Sequence, residues 1–122
     1  DMDGEQGFRD RESKTFSMLI SENTNAVIAT GGGIVLREEN RRLLLDHGLV
    51  IYLCATSQQL YQRTRRDRKR PLLQVADRKS VIEKLLEERD PLYRQVADIV
   101  VNSGRGRLSH SVKKLAEKVL AM

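Results

Sequence analysis

The sequence contains no tryptophan, and aromatic residues make up only 4% of it. Proteins that bind single-stranded nucleic acids combine basic residues with aromatic side chains on which the bases stack. The strongest basic run here, "RTRRDRKR" from Arg63 to Arg70, contains no aromatic residue. A net charge of +5 does attract phosphate, but a small anionic substrate or a solvated helix end explains the run equally well. We therefore expect no nucleic-acid partner.

Cysteine is limited to Cys54, which excludes an internal disulfide and fits a reducing cytosol. No run of about 18 apolar residues is present, so we expect no membrane span and no membrane partner. No charged-then-apolar signal segment opens the sequence either. The 122 residues, 39% hydrophobic and 32% charged, suit one small globular domain. We expect Cys54 to be an inert strand residue and His47 and His110 to lie at the surface.

The spacing of apolar residues predicts alternating helices and strands. Helices are predicted over residues 5–22, 37–46, 80–88 and 109–120, and another is predicted to follow Ser57 as its cap. Strands are predicted over residues 26–30, 49–55 and 98–103. The strands lack polar alternation, which predicts burial on both faces. This order of elements predicts an α/β fold with a parallel sheet.

Glycine and proline predict where several of these elements end. The pair His47-Gly48 is expected to close the second helix. Pro71 is expected to lie in a mobile loop over residues 70–77. The fourth helix is expected to end before Pro91, because proline disfavours helical conformation in the residue that precedes it.

The stretch "VIATGGGIV" places three glycines where a predicted strand passes into a helix. Such a triplet indicates either positive φ or a group lying close against the backbone, although a tight turn alone would also explain it. Ligands of parallel sheets bind at the carboxyl ends of the strands, where Gly31–Gly33 lie. Arg9 and Glu12, three residues apart on the first helix, can pair, and the acid would orient the guanidinium toward a ligand carboxylate or phosphate.

Four motifs in order carry a resemblance to a known family. They are "GEQGFRDRE" at 4–12 with Phe16 following, "VIATGGGIV", Arg63 with "RPLL" at 70–73, and "ERDPLY" at 88–93. Together they resemble the shikimate kinase signature over essentially the whole sequence. The resemblance implies a three-layer, P-loop, nucleoside-monophosphate-kinase-like fold. It also implies transfer of the γ-phosphoryl group of ATP to the 3-hydroxyl of shikimate, a step of chorismate and aromatic amino-acid biosynthesis in the cytoplasm.

The resemblance also implies roles for individual residues. Arg9 and Arg89 match the arginines that grip the shikimate carboxylate, which suits the planar fork of arginine, and Glu12 matches the acid that buttresses the first. Gly31, Gly32 and Gly33 would let shikimate and the γ-phosphate approach the main chain. The remaining matches concern the nucleotide. Arg70, with Pro71, matches the catalytic arginine of a lid at about 64–79, and Arg63 matches a nucleotide-contacting position at the start of that lid. Arg105 matches an arginine beside the adenine. From the residues alone, Arg89 could equally cap a helix and Arg63 could be solvated.

The sequence departs from the family in lacking two motifs. It has no GxxxxGK[ST] phosphate loop and no DxD pair, since "DMD" lies too close to Gly4 to be that pair. Residues 1–122 are thus expected to form a single partial kinase domain without the family's first two strands. The ligands of Mg²⁺ are expected in the segment not present. In the family's strand order, 2-3-1-4-5, the absent first strand separates 26–30 from 49–55.

Unpaired buried strand edges cost free energy, so we expect this stretch not to fold alone as a native monomer. Either more N-terminal sequence completes it, or strands pair by chain exchange, whereas the full-length protein is expected to be monomeric. The fragment alone is expected to be inactive. Two alternatives stay open at this point. The chain could be a non-catalytic basic fragment that binds anions or nucleic acid, or a related kinase such as gluconate kinase, against which "GFRDRE" argues.

Overall fold

The computed structural model describes residues 4–22, 25–66, 77–102 and 108–121. The chain forms two compact units, Asp1–Val50 and Ile51–Met122, each described below by itself. The elements in chain order are α1 (Gly4–Glu22), a 3₁₀ helix (Ile34–Leu36), α2 (Glu38–Asp46), β1 (Ile51–Cys54), α3 (Ser57–Arg66), α4 (Arg78–Val96), β2 (Ile99–Asn102) and α5 (Leu108–Leu120). None of the described helices combines the length and the hydropathy needed to cross a bilayer.

The first unit is built from α1, the 3₁₀ helix and α2, with α1 packed against α2. Its apolar core consists of Phe16, Ile34 and Val35. The predicted end of α2 is confirmed: Gly48 has φ of 71°, a conformation that favours glycine, and the N–H of His47 donates to the Leu43 carbonyl at 3.1 Å. A single 3₁₀ turn thus leads from the glycine triplet into α2.

The strand predicted over residues 26–30 is wrong. This segment has no regular hydrogen bonding in the structure, and Val27 is fully exposed. A strand persists only when its backbone groups pair with a neighbour, and none of the described strands pairs with this segment. The apolar composition of "AVIAT" predicts a strand but does not supply the partner that it requires.

The second unit contains a two-stranded parallel sheet in which Ile51 pairs with Ile99 and Cys54 with Asn102. α3 packs on α4, and α5 contacts β2. The predicted parallel α/β arrangement is therefore confirmed. The predicted burial of 49–55 on both faces is wrong: Tyr52 is buried, whereas Leu53 is 59% exposed. Among the described residues, coverage of β1 is greater on the face that carries Tyr52 than on the face of Ile51 and Leu53.

The cap of α3 is Thr56 and not Ser57, which corrects the prediction. The N–H of Gln59 donates to Thr56 Oγ1 at 3.1 Å, and the N–H of Thr56 donates to Gln59 Oε1 at 2.8 Å. This reciprocal pair is a capping box, which needs a Ser or Thr three residues before a Glu or Gln. Ser57 is instead the first residue of the helix.

Helix α4 is longer than the sequence predicts at both ends. It begins at Arg78 after Asp77, whose side chain accepts from the Ser80 N–H at 3.3 Å, and it continues through Pro91 to Val96. Its buried side chains, Ile82 and Val96, lie on both sides of the proline, so packing carries the helix past a residue that ordinarily ends one.

Candidate functional site

Arg9 and Glu12 form a closely paired, largely buried charge cluster on α1. The Arg9 Nη1 group donates to Glu12 Oε1 at 2.8 Å, and the two side chains are 15% and 13% exposed. Glu5 Oε1 lies 3.7 Å from Arg9 Nη2, and the guanidinium carbon lies 5.0 Å from the centroid of the Phe8 ring. The pairing predicted from the spacing is confirmed, and it fixes the guanidinium by a charge-assisted hydrogen bond and a cation–π contact.

The glycine triplet lies against this pair. A Cβ atom at Gly33 would overlap the Arg9 guanidinium, and one at Gly31 would lie 3.2 Å from Glu12 Oε2. The triplet does not use positive φ, which the described residues adopt only at Gly4 and Gly48. The structure therefore excludes positive φ at the triplet, and it shows both a tight turn and the close approach of another group. The groups that approach Gly33 and Gly31 are the side chains of Arg9 and Glu12.

Arg41 holds the turn that follows the triplet, a role that the sequence did not reveal. Its Nη1 donates to the Val35 carbonyl at 2.7 Å and to the Leu36 carbonyl at 3.2 Å. The N–H groups of Ile34 and Leu36 donate back to the carbonyls of Gly31 and Gly33. The last carbonyls of the short 3₁₀ helix need donors from outside it, and no pattern in the sequence identified Arg41 as that donor.

Two clefts open on the first unit. One, of about 320 Å³, lies beside the glycine triplet and is lined by Phe8, Glu12, Thr30 and Gly31 among others. The other, of about 770 Å³, lies between α1 and α2, and its lining includes Ser13 and Asn40. The first cleft brings the Glu12 carboxylate and the exposed backbone of Gly31 to one surface.

In the second unit, Arg89 lies on α4 and Arg63 on the last turn of α3. Arg89 is half-buried, and Arg63 is exposed beside a cleft that also includes Thr56 and Gln59. The structure thus brings together Arg9, Glu12, Gly31 and Gly33 in the first unit, while Arg63 and Arg89 belong to the second. The other predicted site residues, Arg70, Pro71 and Arg105, lie outside the described residues, as does most of the predicted lid.

Arg9 and Arg89 share one unusual feature. In the part of the chain that the structure describes, four buried side-chain polar atoms have no hydrogen-bond partner, and two of them are the Nε atoms of these arginines. The others are Ser13 Oγ and Asn40 Oδ1. A buried N–H without an acceptor is costly and uncommon in native structures, so each such group calls for an explanation.

A hydrogen-bonded cluster beside Arg89 links α4 to β1. Tyr52 Oη donates to Asp90 Oδ1 at 2.7 Å, and Arg94 Nε donates to Asp90 Oδ2 at 2.8 Å. Burial, followed by the hydrogen bond to Asp90 and its negative charge, raises the pKa of Tyr52 well above its usual range. Burial raises the pKa of Asp90, but the hydrogen bonds from Tyr52 and Arg94 and the charge of Arg94 outweigh it, so the pKa is lowered.

Acidic, histidine and cysteine side chains do not cluster as a metal site would require. Over the described ranges, no group of three or more of them is placed to hold a metal ion. Magnesium generally needs carboxylate ligands together with substrate phosphates.

Comparison with known proteins gives one consistent family. A family model described as "Shikimate kinase" matches residues 1–120. A shikimate kinase from Francisella tularensis subsp. holarctica is 47% identical over 116 residues, which cover 95% of this chain and 66% of that relative. The chain thus spans 66% of the length of this curated relative.

Solved structures agree in fold. A shikimate kinase from Acinetobacter baumannii, in complex with shikimate, superposes with a TM-score of 0.87 at 39% identity, over 98% of this chain and 66% of that one. A shikimate kinase from Bacteroides thetaiotaomicron gives a TM-score of 0.84 at 31% identity, over 98% of this chain and 70% of that one. The predicted fold class is confirmed by these similarities.

Proposed function

This chain belongs to the shikimate kinase family, and we propose that the protein transfers the γ-phosphoryl group of ATP to the 3-hydroxyl of shikimate. This is the step toward chorismate and the aromatic amino acids that the sequence motifs imply. Residues 1–122 would form part of a single kinase domain. The protein would act in the cytoplasm as a monomer, with shikimate and ATP as its small-molecule partners.

The observation that carries the proposal is that the Nε atoms of Arg9 and Arg89 have no hydrogen-bond partner among the residues that the structure describes. These are the two arginines that match the family's carboxylate grip. A buried, charged donor without an acceptor costs more than the ~1–3 kcal/mol of a neutral one, and a carboxylate bound at either arginine would supply the acceptor that its Nε lacks. The relative from A. baumannii was solved with shikimate, which carries such a carboxylate.

The arrangement around Arg9 suits a carboxylate in particular. Glu12 accepts from Nη1, and the exposed Glu5 lies 3.7 Å from Nη2, so a ligand carboxylate would bind the edge formed by Nε and Nη2 by displacing Glu5. Two parallel N–H groups on one edge of a guanidinium match the two oxygens of a carboxylate. Glu12 would hold that edge in place, and the backbone of Gly31, Gly32 and Gly33 would approach shikimate and the γ-phosphate.

The nucleotide side of the reaction is proposed from the motifs. Arg70 would be the catalytic lid arginine that stabilises charge on the transferring phosphoryl group, with Pro71 beside it. Arg63 and Arg105 would contact the nucleotide. Magnesium would accompany ATP, with its ligands in the family's phosphate-loop and DxD motifs, which this sequence does not contain.

The experiment that tests the proposal is Arg9→Lys in the full natural protein. Lysine keeps the charge but loses the two-pronged edge. Loss of one charge-assisted hydrogen bond costs about 1.5–3 kcal/mol, which is at least about tenfold in affinity. We expect shikimate affinity by titration calorimetry to fall by that factor, with the KM for ATP unchanged. The control is Arg42→Lys, since Arg42 is 75% exposed.

Three outcomes would contradict the proposal in different ways. Unchanged shikimate affinity in Arg9→Lys would remove Arg9 from the site. ADP release that depends on gluconate and not on shikimate would indicate a gluconate kinase. Binding of polyphosphate or single-stranded nucleic acid without any shikimate-dependent turnover would indicate a non-catalytic anion-binding protein.

A further inference from the structure

Helix α4 continues through a proline. Pro91 lies between the ends of the helix at Arg78 and Val96. Proline has no N–H to donate to the carbonyl four residues earlier, here that of Glu87, and its ring crowds that carbonyl. The residue that precedes a proline is also disfavoured in helical conformation, and Asp90 is in that position. The helix therefore depends on side-chain contacts to keep its path at this point.

Strand β1 supplies those contacts through Tyr52. The hydroxyl of Tyr52 donates to Asp90 Oδ1 at 2.7 Å, and its ring stacks on the ring of Tyr93 with 4.6 Å between centroids and 7° between planes. One buried side chain of the strand thus holds α4 immediately before and shortly after Pro91. Arg94 donates to the second oxygen of Asp90 at 2.8 Å, so both carboxylate oxygens have a donor.

Arg89 is the residue whose direction this anchor controls. It directly precedes Asp90, and neighbouring residues of an α-helix leave the axis about 100° apart. While Asp90 is hydrogen-bonded to β1, this turn of α4 cannot rotate about its axis without breaking that bond. Arg89 Nε has no hydrogen-bond partner within the described ranges, so no hydrogen bond at that atom fixes the guanidinium.

We propose that Tyr52 and Asp90 are positioning residues that aim Arg89 at the substrate carboxylate by tying the helix at Pro91 to strand β1. They do so without touching the substrate. The inference rests on the proposed function, in which Arg89 binds shikimate. Its consequence is specific: loss of the anchor weakens shikimate binding through Arg89, whereas loss of a merely structural contact lowers stability without selecting one substrate.

The test compares Asp90→Asn and Tyr52→Phe in the full natural protein, each alone and combined with Arg89→Ala. Asp90→Asn removes the charge with little change of shape, and Tyr52→Phe keeps the ring stack but removes the hydroxyl. We expect each single variant to raise the KM for shikimate by about tenfold, the loss expected when one charge-assisted hydrogen bond to a ligand is weakened. The kcat and the KM for ATP stay unchanged. Glu38→Gln is the control, because it breaks an exposed i,i+4 arginine pair of the same kind.

The double variants decide the question. If Asp90 and Tyr52 act through Arg89, neither substitution changes the KM for shikimate further once Arg89 is alanine. The proposal would be overturned if each substitution raised the KM for shikimate equally with Arg89 and with alanine at position 89. It would also be overturned if both single variants left the KM for shikimate unchanged. Failure of the proposed function has a different result: Arg89→Ala alone would leave the KM for shikimate unchanged. If Asp90→Asn does not fold, Tyr52→Phe gives the same comparison.

Discussion

The guanidinium group of Arg9 lies where a Cβ atom of Gly33 would have to be. The same guanidinium donates through Nη1 to Glu12 Oε1 at 2.8 Å. Glycine at position 33 is thus a packing requirement of the Arg9–Glu12 pair as well as a feature of the backbone. The glycine triplet and the Arg9–Glu12 pair are therefore coupled, because a larger side chain at position 33 would displace the guanidinium group.

Gly33→Ala is therefore expected to displace Arg9. Forcing an extra carbon into a filled space costs about 1–3 kcal/mol, and the displaced guanidinium loses its alignment with Glu12. We expect a lower free energy of unfolding and a shikimate affinity at least about tenfold weaker, equivalent to ~1.4 kcal/mol. Urea unfolding and titration calorimetry measure the two effects.

Two other glycines give matched controls for this prediction. At Gly31 the new Cβ would lie 3.2 Å from Glu12 Oε2, a tight contact that a small shift relieves, so Gly31→Ala should weaken binding less. At Gly48 a Cβ has open space but φ is 71°, so Gly48→Ala should cost about 1–2 kcal/mol of stability and leave shikimate affinity unchanged. Equal binding by wild type and Gly33→Ala would show that the guanidinium can relocate freely.

Local sequence patterns predicted most helices and the parallel strand pair, but not the features that depend on distant partners. Apolar spacing placed α1, α2 and α5 within about two residues of their ends. The strand at 26–30 failed because its pairing partner is not readable from "AVIAT" itself. Helix α4 was predicted to stop before Pro91 because that rule is local, whereas Tyr52, which holds the helix there, lies 38 residues from Asp90.

In the candidate site, too, local contacts were predicted from the sequence and contacts between distant segments were not. The spacing of Arg9 and Glu12 predicted their hydrogen bond, since residues three apart share a helix face. The contact between Arg9 and Gly33 joins two segments distant in sequence, so the triplet indicated a close approach without identifying the group that approaches. Arg41 was missed because an arginine on an amphipathic helix ordinarily faces solvent.

The cap of α3 gives a direct test of the structure against the sequence prediction. Thr56 Oγ1 accepts the Gln59 N–H, and replacing an N-cap threonine by alanine costs about 1 kcal/mol. We expect Thr56→Ala to lower the free energy of unfolding by that amount. Ser57→Ala, one residue further on and inside the helix, should change it little. Urea unfolding of both variants measures the difference, and a larger effect at Ser57 would make Ser57 the cap, as its sequence position suggests.

The Tyr52–Asp90 hydrogen bond should make stability depend on pH at both extremes. The pKa of Asp90 is lowered in the folded protein, so its stabilising contribution is complete above the ordinary carboxyl pKa near ~4 and is lost as the pH falls through the lowered value. The pKa of Tyr52 is raised, so its contribution is complete below about pH 10 and is lost as the pH rises toward the raised value. Between these limits the contribution of the pair should be constant.

Substituting Asp90 or Tyr52 separates the acidic part of this pH dependence from the basic part. We expect the difference in unfolding free energy between wild type and Asp90→Asn to shrink as the pH falls below about 4. For Tyr52→Phe the difference should shrink above about pH 10, and it should also shrink in acid, because the Tyr52 hydrogen bond is one of the causes that lower the Asp90 pKa. Urea unfolding at a series of pH values measures both, with Glu38→Gln as the control for an exposed carboxylate paired to arginine. If the unfolding free energy of Tyr52→Phe fell with decreasing pH in the same way as that of wild type, the Tyr52 hydroxyl would not be bonded to the Asp90 carboxylate in solution. The contact that anchors α4 would then be the ring stack alone.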